Sequence, residues 1–129
     1  MLKRYQIETL FFAIAMGLSS ILNPVLKNIF DRERPTLLRL IDISGFSFPS
    51  GHAMGATSYF GSIIYILNRH DSGISKGVLI GLSALFILLI STSRVYLGVH
   101  YPTDIIAGII GGAFCIVLST LILKKQLAI

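Results

Sequence analysis

The sequence predicts an all-α membrane protein, a polytopic membrane helix bundle of four transmembrane helices forming one domain over residues 1–129. Three observations carry this. The chain is 53% apolar and 13% charged, with a mean hydropathy of +0.79, whereas a soluble domain carries about 25% charged residues. Apolar stretches at Thr9–Leu26, Gly51–Leu67, Gly77–Val95 and Ile105–Leu123 run 17 to 19 residues each. That is the short end of what spans a hydrocarbon core of about 30 Å. Finally, no internal repeat, linker or low-complexity run divides the chain.

The first helix follows Lys3-Arg4, a start shared with secretory signal peptides. Cleavage would leave a new terminus beside the first polar cluster, so a retained helix is the reading. Asn23-Pro24 loosens or kinks its end, because proline removes a backbone donor. The connection Lys27–Ser50 contains Arg34-Pro35, which marks extended or turning chain. Ser50-Gly51 opens the second helix, and Asn68–Lys76 reads as a tight polar connection to the third. Within it His70 has no partner motif and is expected to be solvated. Tyr96–Thr103 leads to the fourth helix, with Pro102 suited to a first helical turn. Tyr59, Tyr65, Tyr96 and Tyr101 are expected in helix packing or in an interfacial belt.

Charge and cysteine content narrow the function. The net charge of +5 lies in loops, without the basic stripe and interleaved aromatics of a nucleic-acid surface, so no nucleic-acid partner is expected. Cys115 is the single cysteine and reads as a small packing residue. No histidine or cysteine cluster has zinc spacing, and no metal or other cofactor is expected. If the four helices alternate, Lys3, Arg4, Arg69, Lys76, Lys124 and Lys125 share one side. The positive-inside rule then places both termini in the cytoplasm. Lys27, Arg32, Arg34, Arg39 and Arg94 fall on the extracytoplasmic side.

That side also receives three short clusters: Lys27-x6-Arg34-Pro35, Pro49-Ser50-Gly51-His52 and Ser93-Arg94-x5-His100-x3-Asp104. Ser50 suits an N-cap, and the free N–H groups of the helix start attract anions. Gly51 lets the backbone approach a ligand closely, with His52 at the rim. Four residues apart, Asp104 can accept a proton from one nitrogen of His100 and leave the other free as a nucleophile. Lys27 offers a point charge, while Arg34 and Arg94 offer planar forks that match phosphate oxygens. Each cluster alone also fits a blander role: a helix cap, an interfacial histidine, a snorkelling arginine.

Taken together, the clusters resemble the signature of the type 2 phosphatidic acid phosphatase superfamily, the membrane lipid phosphate phosphatases. The resemblance runs from Lys27 to Asp104. It implies that His100 attacks phosphorus and becomes a phosphohistidine, that Asp104 orients it, and that His52 protonates the leaving oxygen. Lys27, Arg34 and Arg94, with Ser50 and the Gly51 backbone, would hold the phosphate, and no metal is needed. The partners it implies are membrane lipids and a lipid phosphate substrate, with undecaprenyl diphosphate and phosphatidic or phosphatidylglycerol phosphates as candidates. Typical members have six spanning helices with the first cluster after the third; here it follows the first.

Two other classes compete. One is a non-catalytic membrane protein that binds anionic lipid or partner helices; His52, His100 and Asp104 argue against it, since binding needs cations but no nucleophile. A vanadate-dependent haloperoxidase has a similar site, but the apolar spans do not suit that soluble class. Gly108, Gly111 and Gly112 permit close helix contacts, including those of a homo-oligomer.

Overall fold

The structure is a computed structural model describing residues 3–70 and 73–128, and every regular element among them is helical. In chain order these are α1 (Arg4–Phe30), α2 (Gly51–Asn68), α3 (Ile74–Tyr96), α4 (Pro102–Ile122) and a short α5 (Lys124–Leu127). Helix α1 continues through Pro24 and stops at Asp31, whose left-handed backbone (φ 48°) lets its N–H reach Lys27 O at 3.0 Å. Lys27 therefore stands on the last helical turn and not in the connection.

Three helices, α1, α3 and α4, are long and apolar enough to cross a membrane. The sequence predicted four. Helix α2 differs because it packs against α1, α3 and α4 at once. Much of its surface meets protein, and there it carries buried Thr57, Ser58 and Ser62 where a lipid-facing helix carries aliphatic residues.

The α2–α4 seam is the tightest contact in the bundle. A Cβ on Gly108 would stand 2.7 Å from Ser50 O, one on Gly112 2.7 Å from Met54 O, and one on Gly111 2.5 Å from Met54 Cε. The three glycines are thus used inside the chain, where they bring two backbones together.

The end of the bundle that holds both chain termini is tied by polar contacts. Arg4 Nη2 donates to Arg69 O, and Arg69 Nη2 donates to Leu127 O at 2.5 Å. His70, expected to be solvated, is exposed and also pairs with Glu8: its Nε2 lies 3.0 Å from Oε1. Sequence distance hid this pair, because Glu8 belongs to α1. Asp71 and Ser72, part of the same predicted connection, lie outside the described residues. Beneath these contacts Ile7, Phe11, Leu123 and Leu127 form an apolar cluster. The opposite end is built from the 31–50 connection laid over the α3–α4 turn, with Leu40 N donating to Leu97 O at 2.9 Å.

Candidate active site

All three clusters meet at that second end. Pro102 starts α4, and Asp104, at its third position, turns back to accept the Tyr101 N–H at 2.8 Å. This is half of a capping box. The same oxygen, Oδ2, faces His100 Nδ1 at 3.3 Å. His100 is 4% exposed and Asp104 fully buried, so their contact is shielded from water.

Two residues that the sequence did not single out complete the carboxylate's shell. Ser47 Oγ donates to Oδ2, and Arg32 Nη1 donates to Oδ1 at 2.8 Å. Arg32 also donates to Thr103 Oγ1 at 2.6 Å, and its guanidinium lies 4.7 Å from the Tyr101 ring centre and 5.6 Å from that of Phe48. The ring faces hold the fork in plane. With both oxygens of Asp104 engaged, the carboxylate is fixed in position and charge. The one available signal was Arg32's place two residues before Arg34. Contacts this distant in sequence leave no periodic trace.

Arg34 reaches across to the histidine. Its Nε donates to Gly45 O at 3.1 Å, and its Nη1 lies 3.2 Å from Val99 O and 3.1 Å from His100 Nε2. Burial, together with the charges of Arg94 and Arg39, holds its guanidinium below the usual range. The same causes act on His100. Burial first and the Arg34 charge second push its pKa down to about 4, against the opposing pull of Asp104. The ring is therefore neutral at pH 7.

The remaining predicted residues surround this pair. Lys27 Nζ donates to Phe46 O at 2.8 Å. Ser50 caps α2, its Oγ accepting from Ala53 N at 3.2 Å, and its own N–H donates to Asp104 O at 3.0 Å. Gly51 sits against Asn23, whose side-chain oxygen would be 3.2 Å from an added Cβ. Asn23 Nδ2 in turn donates to Pro49 O at 3.3 Å. Arg94 does not emerge at the surface: it is 9% exposed, and its Nε has no hydrogen-bond partner among the described residues. A buried cation left so is costly unless an anion arrives.

His52 is exposed at the rim, near enough to Arg94, Arg34 and Lys27 for their charges to act on it. It lines, with Met16, Gly51, Tyr59, Phe60 and Ile90, an open groove of about 730 Å³. Among the described residues no three histidine, cysteine or acidic side chains gather as a metal site would require.

The three clusters of the sequence thus share one end of a membrane-type helical bundle. The chain belongs to the PAP2 superfamily, whose profile matches residues 8–127. It is 38% identical over 103 residues to phosphatidylglycerophosphatase B of Bacillus subtilis, covering 78% of this chain and 51% of that one. It is 34% identical over 110 residues to the undecaprenyl-diphosphatase of Sulfolobus acidocaldarius, covering 84% and 50%. The crystal structure of the PAP2-type phosphatidylglycerolphosphate phosphatase from Bacillus subtilis superposes with a TM-score of 0.77 at 35% identity, over 88% of this chain and 58% of that one. Aquifex aeolicus LpxE gives 0.74 at 26% identity, over 92% and 69%. The chain spans about half the length of the curated relatives it matches.

Proposed function

We propose that this chain is a membrane phosphatase that hydrolyses a lipid phosphate or diphosphate through a phosphohistidine on His100. The observation that carries the reading is the position of His100 between Asp104 and Arg34. Arginine only donates, so Nε2 must accept and the ring proton lies on Nδ1, facing Asp104. The lone pair that would attack is thus on the nitrogen that faces the cations, where Arg34 donates to it.

The chemistry follows from this placement. Arg34, Arg94 and Lys27, with the N–H groups at the start of α2, hold the phosphate oxygens. His100 Nε2 attacks phosphorus, and the P–O bond to the lipid breaks as His52, in its protonated form, gives its proton to the leaving oxygen. Neutral His52 then takes a proton from water, whose oxygen displaces His100 and releases phosphate. Preorganised cations stabilise the charge that builds on the phosphoryl oxygens in both steps.

The relatives' names motivate the substrate class, an undecaprenyl diphosphate or a phosphatidic-acid-like lipid, with the prenyl diphosphate favoured because the connections are short. In this reading α2 is the fourth span: its 18 residues reach about 27 Å. It runs from the site end to the end that holds both termini. The excess of cations at the termini supports a cytoplasmic placement there, with the site on the extracytoplasmic face.

Phosphate release by purified protein in EDTA tests the reading, with undecaprenyl diphosphate and phosphatidic acid side by side and His100→Ala as control. Acid-labile phosphate trapped on the native protein and absent from the variant identifies the intermediate. Lipid phosphate binding by folded protein without release would instead support a non-catalytic lipid-binding role.

A further inference from the structure

The connection between α1 and α2 carries an apolar surface that the chemistry above does not use. Leu37 is 83% exposed and Leu38 90%, with Leu40 and Ile41 also exposed. Leu38 adopts φ +56°, a left-handed conformation that residues other than glycine rarely take. A strained turn that turns leucines away from the protein calls for a partner.

The turn is firmly held. Leu40 N donates to Leu97 O at 2.9 Å, and Gly98 (φ +73°) approaches Leu38 O and Arg39 Cα so closely that a Cβ would collide with both. On its other flank Arg34 is bonded to Val99 O and His100. Both anchors therefore lie on the Leu97–His100 segment. Leu97 is the first residue after α3, a helix of membrane-spanning length, which fixes the turn at the height where that span ends. Exposed Val95 and Tyr96 on α3, and Ile29 and Phe30 at the end of α1, bring further apolar surface to the same height.

We propose that the 36–41 turn is a bilayer anchor whose Leu37 and Leu38 enter the leaflet at the site's end of the bundle. Its partner is the boundary between headgroups and acyl chains, and Arg39 beside it supplies the cation that such segments place among lipid phosphates. Through Leu97 and Gly98 the anchor sets the depth of His100 against the lipid headgroup. This last role rests on the lipid phosphatase reading; the insertion itself does not.

The chain has no tryptophan, so Leu37→Trp creates a single fluorophore. The full chain is reconstituted into phosphatidylcholine–phosphatidylglycerol vesicles carrying bromine near the headgroup end of the acyl chains. Emission should be blue-shifted, quenched by the brominated lipid and little affected by aqueous iodide. Glu33→Trp, at an exposed position, should show the reverse. Should Leu37→Trp fail to fold, Leu40→Trp reads the same turn. Quenching by iodide and not by bromolipid, or by neither because protein covers the turn, overturns the proposal. These readings stand whether or not the protein releases phosphate. If it does, Leu37→Ser with Leu38→Ser should raise KM for vesicle-borne substrate by about tenfold, in line with what exposed leucines gain on leaving water.

Discussion

Arg34 Nη1 and His100 Nε2 are 3.1 Å apart, so the cation proposed to bind phosphate rests on the lone pair that the proposed reaction needs. In that reaction a phosphate oxygen entering the site competes for the N–H and, by taking it, uncovers the proposed nucleophile. Binding the wrong anion would not suffice; the fork has to be drawn away while His100 stays on Asp104.

Arg34→Lys should therefore be far from silent. Lysine keeps the charge but loses the fork that spans Gly45 O, Val99 O and the ring. Loss of one preorganised donor costs about 10²–10³-fold in kcat. Steady-state assays in mixed micelles measure it, and a loss under threefold would place the phosphate elsewhere.

The pH profile carries a sign of its own. The proposed attack requires neutral His100, and its pKa of about 4 lies below the ordinary 6.5. The acidic limb of kcat/KM reports the free enzyme, so after correction for the substrate's own ionisation it should fall well below pH 6.5. Arg34→Gln removes one of the lowering charges and should move the limb upward. Because the folded protein resists protonation here, the same group's stability contribution is present above pH 6.5 and is lost as pH falls toward 4. An unshifted limb in the native protein would contradict this geometry.

Arg32→Ala should impair turnover although Arg32 is proposed only as a positioning residue. It strips the 2.8 Å partner from buried Asp104, which costs about 2 kcal/mol for a hydrogen bond between charged groups. We expect kcat to drop about tenfold or more with KM little changed, since each 1.4 kcal/mol is a factor of ten. Partial recovery in Arg32→Lys, which keeps charge without the stacked fork, distinguishes positioning from general damage to the fold.

Gly112→Ala tests the seam. Its new methyl would meet Met54 O and Thr57 Cβ, each at 2.7 Å, and a backbone oxygen cannot turn aside. Overpacking of this kind costs about 1–3 kcal/mol. The melting temperature in detergent should fall, and turnover with it, because α2 brings Ser50 and Gly51 while α4 brings Asp104. Substitution at exposed Gly81, which has nothing within 4 Å, is the neutral comparison.

At the far end, Glu8→Gln weakens the pairs with Arg4 and His70. A lowered melting temperature with kcat/KM unchanged would show that the two ends of the bundle serve separate purposes.

What the sequence displays is local. Apolar stretches mark the helices, and a four-residue spacing at a helix start suffices to bring His100 and Asp104 together. The rest is long-range. Ser47 and Arg32 reach Asp104 through an irregular connection with no periodicity to read. Glu8 and His70 meet only once α1 and α2 are packed. Helix α2 is a different case: neighbours pack on much of it, so it carries buried polar residues and its hydropathy does not mark it as a span.

The glycine seam bears on molecular traffic. With the backbones of α2 and α4 this close, no alkyl chain passes between them, and the site is walled on that flank. The groove that reaches Gly51 and His52 opens instead among Met16, Tyr59, Phe60 and Ile90, on the side of α1 and α3. A lipid held by its phosphate would thus find a berth for its tail along this groove, and the spent lipid could leave the same way. Turnover in a crowded leaflet would then depend on how quickly the spent lipid vacates it.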